Sequence, residues 1–244
     1  MSFVDKIDYI IAKIFHNIYM WGGNATNTIM EGISFLAEAG ILFLLVGLCL
    51  ALFKQTRKIG VTVLLAVAFG FLFTNIILKP IINRARPFEN ISGDFYKWWL
   101  DAGANFESGH SFPSGHTTAT TAFAMAIFLT TKKKYSGYVL LLPLLMASSR
   151  IYLMVHYFSD CFAGIVVGTV SAVIACLLMK WIYCSKFKLF VWARELELFK
   201  SKQKDTPTHI NTLESPKEEY VYTTQEDENK NLTQNENHTS SDDD

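Results

Sequence analysis

The stretch "SSRIYLMVHYFSD", residues 148–160, decides the fold. It is flanked by "YVLLLPLLMA" (138–147) and "CFAGIVVGTVSAVIACLLM" (161–179), which both read as membrane spans. A bilayer core about 30 Å thick is crossed by roughly 20 apolar residues in a helix. Three ionisable residues, Arg150, His156 and Asp160, stand where the two spans meet. A charge at the bilayer centre costs about 2.5–3.5 kcal/mol on insertion scales, so such groups beside lipid point to a functional partner.

Outward from this junction, five segments have the apolar length of a span or nearly so: 33–53, 59–78, 116–131, 136–155 and 161–183. The third is short, but Thr117, Thr118, Thr120 and Thr121 can return their hydroxyls to the helix backbone; Pro143 is expected to kink the fourth. Residues 4–20 carry Val4, Ile7, Ile10, Ile11, Ile14, Phe15 and Ile18 at helical spacing, with Asp5, Lys6, Asp8 and Lys13 interleaved. This pattern reads as an amphipathic helix in the membrane interface. A sixth span is the rival reading, opposed by Lys13 and His16 near its middle. The expected fold class is therefore all-α: an integral-membrane helical bundle of five to six transmembrane helices with an N-terminal amphipathic helix. Its expected parts are an N-terminal helix and linker (1–32), a membrane-embedded domain (33–190) and a disordered acidic tail (201–244).

Charge and cysteine content narrow the function. The 244 residues carry 22 basic and 22 acidic side chains, so there is no general nucleic-acid footprint. Cys49, Cys161, Cys176 and Cys184 lie in or beside apolar runs without metal-ligand spacing and read as packing residues. The opening "MSFVDKIDYIIAKIFHNIYM" lacks a clean apolar core followed by a cleavage site, so no cleavable signal peptide is expected. Basic residues after spans one, three and five (Lys54, Arg57 and Lys58; Lys132, Lys133 and Lys134; Lys180, Lys186 and Lys188) place those loops and the tail in the cytoplasm. The segments 79–115 and 156–160 then share the extracytoplasmic face of a plasma membrane. Lys79, Arg84 and Arg86 break the positive-inside rule there, which marks them as functional.

Three clusters meet on that face. "KPIINRARPF" (79–88) supplies Lys79 and Arg86, with Pro80 and Pro87 fixing the local backbone direction. "SGHSFPSGHTTAT" (108–120) puts Ser114, Gly115 and His116 at a helix start, whose free N–H groups and dipole attract anions. In the third, His156 and Asp160 are four residues apart, so on a helix they share a face. The carboxylate can hold one imidazole nitrogen and leave the other free to attack. Arg150 adds a third cation. Fixed cations plus N–H donors suit a phosphoryl group, whose transfer depends on positioning and charge stabilisation. No acidic cluster is available to hold Mg²⁺, so the residues imply no metal and no cofactor.

These clusters resemble the three signatures of the type 2 phosphatidic acid phosphatase superfamily. They are Lys79-"PIINRA"-Arg86-Pro87, Pro113-Ser114-Gly115-His116 and Ser149-Arg150-"IYLMV"-His156-"YFS"-Asp160, in the family's order and without departure. The resemblance spans about residues 33–183. It implies a metal-independent phosphatase in which His156 forms a phosphohistidine, Asp160 orients it, and His116 serves as acid and then base. Lys79, Arg86, Ser114, Gly115 and Arg150 would bind the phosphoryl oxygens. The implied partners are the bilayer and a lipid phosphate or diphosphate: undecaprenyl diphosphate, phosphatidic acid or phosphatidylglycerol phosphate. Transfer of the phosphate to another lipid, or a transporter or scaffold with no chemistry, are the alternatives.

Overall fold

Helix formation follows the apolar runs, and glycine and asparagine punctuate it. The computed structural model describes residues 2–35, 40–132 and 136–184, and all regular structure among them is helical. Helix α1 spans Phe3–Phe35 and bends at Gly23, whose φ of 54° favours a residue without a Cβ. Helix α2 is Ile41–Leu52. Helix α3, Arg57–Phe71, continues through a wide π-helical turn, Leu72–Leu78, into α4, Lys79–Ile82. Asn83, in the left-handed region, ends that run. Next come α5 (Asp94–Asp101), α6 (Gly115–Thr130), α7 (Leu141–Tyr152) and α8 (Phe158–Cys184).

The stretch expected as one span at 33–53 is therefore shared between the end of α1 and the start of α2. Pro143 falls in the first turn of α7, directly after a 3-10 turn at Gly137–Leu140, so it sits at a helix junction instead of kinking a helix midway. The stretches Arg57–Glu89 and Phe158–Cys184 are long and apolar enough to cross a membrane; Ile41–Leu52 and Gly137–Tyr152 are shorter apolar helices. Exposed apolar side chains line their outer faces, as Phe162, Val166, Val170, Val173, Leu177 and Trp181 do on α8. The expected acidic tail at 201–244, with Lys133, Lys134, Lys186 and Lys188, lies outside the described residues.

Helices α3, α6 and α8 form the core, with Val63, Ala66, Val67, Ala122, Ala172 and Ala175 buried between them. Small residues let the backbones approach, as is common where helices pack within lipid. A Cβ on Gly168 of α8 would lie 2.6 Å from the Thr118 carbonyl oxygen of α6. On Gly164 it would lie 2.9 Å from the carbonyl of Ser114. The threonines of α6 fold their hydroxyls inward: Thr118, Thr120 and Thr121 donate to the carbonyls four residues earlier, at 2.7–2.8 Å. This satisfies polar groups within an apolar bundle.

Helix α1 lies against α7 and α8. Its outward side carries Ile10, Ile14 and Ile18, while Asp8, which periodicity alone would place among solvated residues, is buried. Beyond Gly23 it is tied to α7 by Thr26 and Asn27 bonded to the Tyr152 hydroxyl, and by Ser149 donating to the Met30 carbonyl. Trp98 stacks on His16, and Trp99 on Phe88, so both tryptophans pack against the protein.

The α6–α8 contact yields a stability prediction. Gly168→Val inserts atoms where backbone already stands and should cost about 1–3 kcal/mol, lowering Tm by roughly 2–12 °C. Gly137→Ala, which meets nothing within 4 Å, should leave Tm near the parent value. Thermal unfolding in detergent measures both.

Candidate active site

The three sequence clusters arrive at one place because their helix ends are bonded together. The Ser114 amide donates to the Asp160 carbonyl at 3.1 Å, joining the start of α6 to the first turn of α8. The Ser111 amide donates to the Arg84 carbonyl at 2.8 Å, joining the loop before α6 to the segment after α4. The link between α7 and α8 is itself buried at Leu153, Met154 and Val155. The Arg150 carbonyl accepts from the amides of both Val155 and His156.

His156 therefore precedes α8 instead of starting it, and Asp160 occupies the first turn. His156 Nδ1 lies 3.7 Å from Asp160 Oδ2, longer than a hydrogen bond, with the Ser111 hydroxyl between them. That hydroxyl is 2.5 Å from Asp160 Oδ2 and 3.4 Å from His156 Nδ1. Asp160 Oδ2 also accepts from the Tyr157 amide, and Oδ1 accepts from Arg84 at 2.6 Å.

The other imidazole nitrogen, Nε2, faces the cations. It lies 3.5 Å from Arg86 and 3.5 Å from Glu107 Oε2. Glu107 is the focus of the group. Its Oε2 accepts from Arg86 at 2.6 Å; its Oε1 accepts from Arg150 and lies 3.4 Å from His116 Nδ1. Burial pushes the Glu107 carboxyl up, but the contact with His156 and the charges of Arg150, His156 and His116 outweigh it. They hold Glu107 well below the usual carboxylate range, as an anion.

The predicted site residues are not equally free. Arg86 donates to the carbonyls of Gly109, Val155 and Ser108, so much of its fork holds backbone in place. The Ser114 side chain caps α6, accepting from the amide and the hydroxyl of Thr117. Gly115 exposes the helix start to Lys79, whose Nζ would lie 3.8 Å from a Cβ placed there. Arg150 donates to Ser34 as well as to Glu107, and among the described residues its buried Nε has no hydrogen-bond partner. A cavity of about 340 Å³ joins these groups: Lys79, Glu107, His116 and His156 line its polar end, Val67 and Phe71 its apolar part. A second cavity, about 520 Å³, reaches Glu107, His116 and Arg150 from the side of α1 and Phe106.

The sequence does not assign Asp8, Glu107 or Ser111 to the site, and it marks Arg84 as functional without giving it a role. Glu107 had one available signal: several cations gathered near lipid require a counter-charge, and Glu107 lies between the first two clusters.

The chain belongs to the PAP2 superfamily, whose family model matches residues 40–184. It is 33% identical over 145 residues to a decaprenylphosphoryl-5-phosphoribose phosphatase of Mycobacterium tuberculosis, covering 59% of this chain and 76% of that protein. It is 28% identical over 120 residues to an undecaprenyl-diphosphatase of Sulfolobus acidocaldarius, covering 49% of this chain and 55% of the other. The chain thus spans about half the length of curated relatives such as the archaeal one. Its fold is similar to a transmembrane PAP2 type phosphatidylglycerolphosphate phosphatase from Bacillus subtilis, with a TM-score of 0.58 and 23% identity over 77% of this chain and 90% of that one.

The arrangement can hold an oxyanion, and Glu107 supplies one internally. Glu107→Gln keeps the shape but removes the charge that competes for Arg86 and Arg150. Inorganic phosphate or vanadate should then bind about 10- to 100-fold tighter, since a hydrogen bond to a charged group contributes about 1.5–3 kcal/mol. Calorimetric titration in detergent measures this, and unchanged affinity would show that Glu107 does not compete for the anion position.

Proposed function

We propose that this protein is an integral-membrane lipid phosphatase acting through a phosphohistidine. The observation that carries the reading is the convergence of Arg86, Arg150, His116 and His156 on one oxyanion position, with Lys79 beside it and Asp160 behind His156. A phosphoryl group placed where the Glu107 carboxylate lies would meet both arginines and the Nε2 of His156 together. The Arg150 Nε, without a hydrogen-bond partner among the described residues, offers a further donor. These cations supply the charge stabilisation that a divalent metal gives in other phosphoryl-transfer sites.

In this mechanism the Nε2 lone pair of His156 attacks phosphorus and forms a P–N bond. The bond from phosphorus to the lipid oxygen breaks, and that oxygen takes a proton from His116. Asp160, through Oδ2 and the Ser111 hydroxyl, favours the tautomer with hydrogen on Nδ1 and stabilises the cationic phosphohistidine. Water then attacks phosphorus, His116 takes its proton, the P–N bond breaks, and inorganic phosphate leaves. Lys79, Gly115 and Ser114 flank the phosphoryl group at the start of α6.

The apolar part of the 340 Å³ cavity supports a lipid chain behind the phosphate. The relatives named above act, by their names, on polyprenyl or glycerolipid phosphates, which supports that substrate class. Undecaprenyl diphosphate, phosphatidic acid and phosphatidylglycerol phosphate all fit. The proposed topology has five spans in a plasma membrane, an interfacial N-terminal helix, an extracytoplasmic site and a cytoplasmic tail, on the strength of the basic loops.

Purified protein in detergent should release phosphate from at least one of these three lipids and should continue to do so in EDTA. His156→Ala should reduce release to background, and His116→Ala should lower it about 10²- to 10⁴-fold. No release from any lipid, or release that survives His156→Ala, would sink the mechanism. Labelled phosphate appearing on an acceptor lipid instead of in water would identify a transferase.

A further inference from the structure

Asp160 has a second charged cluster on its far side, and the residue at its centre lies outside the family match. The cluster centres on Asp8 of α1, well before residue 40 where the family match begins. Asp8 is 2% exposed. Its Oδ1 accepts from the Ser159 amide at 2.8 Å. Its Oδ2 accepts from the Ser159 hydroxyl at 2.7 Å and from Arg84 at 2.9 Å. Arg84 then donates to Asp160 Oδ1 at 2.6 Å and to the Ser159 hydroxyl at 2.7 Å, with its guanidinium 4.0 Å from the Tyr157 ring centre.

We propose that Asp8 is a positioning residue for the reaction at His156, acting through Arg84 and Ser159 on the Asp160 carboxylate. The inference rests on the reading of His156 as nucleophile. Three observations carry it. Both Asp8 oxygens engage groups next to Asp160, and neither is turned to solvent. The Ser159 amide belongs to the turn that opens α8, so Asp8 caps that turn from another helix, where an anion also meets the favourable end of the dipole. Arg84 stands between two carboxylates. Without Asp8, its whole charge would bear on Asp160 and weaken that group's hold on a His156 ring becoming positive.

Helix α1 is thus a working part of the site and more than a membrane anchor. Tyr9 offers the control, because its hydroxyl ties the same helix to Asp94 at 2.9 Å without touching Asp8. Tyr9→Phe loosens α1 and leaves the Asp8 cluster intact.

The test compares wild type, Asp8→Asn, Arg84→Ala, their double variant and Tyr9→Phe in detergent. Rates of lipid phosphate hydrolysis are expressed per vanadate-binding site, so unfolded protein is not counted. Asp8→Asn should lower kcat about 10- to 100-fold, the loss typical of outer partners that orient metal-bound histidines. KM should stay within about twofold, because the phosphate cradle is not touched. The losses from Asp8→Asn and Arg84→Ala should not add in the double variant. Tyr9→Phe should keep the parent kcat. Hydrogen exchange of the peptide carrying the Ser159 amide should quicken in Asp8→Asn. A parent-like kcat in Asp8→Asn, an equal loss in Tyr9→Phe, or unchanged exchange at Ser159 overturns the proposal. Wild-type protein inactive on every lipid would overturn the phosphatase reading, and the positioning role with it. Active wild type with an unaffected Asp8→Asn overturns the positioning role alone.

Discussion

The bond from the Ser114 amide to the Asp160 carbonyl joins two helix starts that are 46 positions apart in sequence, and the other parts of the site are arranged around it. It forms only if α6 and α8 approach closely at that end. Gly164 and Gly168 permit this approach, with the carbonyls of Ser114 and Thr118 filling the space that side chains would take. The N-terminal turn of α6, the His156 link and the Asp160 turn are thereby held together at the expected end of three apolar helices. A loosened α6–α8 contact would separate the start of α6 from His156 and Asp160.

Charge neutralisation is the second constraint. Buried or half-buried arginines near lipid persist only with partners, and each of the three at this site has a carboxylate. Arg86 and Arg150 share Glu107; Arg84 joins Asp160 to Asp8. The two sets differ in what they engage. Glu107 touches the groups that would meet a phosphoryl oxygen, so its contacts must be exchanged when an anion enters. Asp8 and Arg84 lie on the side of Asp160 away from Glu107, where an entering anion has no reason to disturb them. The site therefore has an exchangeable front and a fixed back, and His156 lies between them.

Much of this was legible in the sequence. Helices at 59–78, 116–131, 136–155 and 161–183 follow from apolar length, and their observed counterparts lie within a few residues. The position of Arg150, His156 and Asp160 between two spans follows from "SSRIYLMVHYFSD", and family spacing adds Lys79, Arg86 and His116. What escaped the sequence was pairing over long separations. Asp8 reaches Arg84 and Ser159 across 76 and 151 positions, and no local pattern reports such contacts. Periodicity identified residues 4–20 of α1 as helix and left 21–32 as a linker, though the helix continues to Phe35; it could not say that a carboxylate among its charged residues points into protein. Ser111 and Glu107 sit in irregular loop, where spacing carries little information. The start of α2 had one sign in the sequence, Gly40, which takes a φ of 70° at its N-cap, but the apolar length of 33–53 outweighed it.

The wide turn at Leu72–Leu78 gives Lys79 an unusual dependence on chain length. A regular α-helix advances about 100° per residue, and a π turn accommodates one extra residue without breaking the rod. The direction in which Lys79 leaves the helix is thus set by how many residues precede it in that turn. Removing a single residue there, even an apolar one facing lipid, would rotate the lysine by about a quarter of a circle away from Gly115. A conservative apolar replacement at Leu72 or Leu78 would leave that register intact, so for this cation the count of residues in the turn carries information that composition does not.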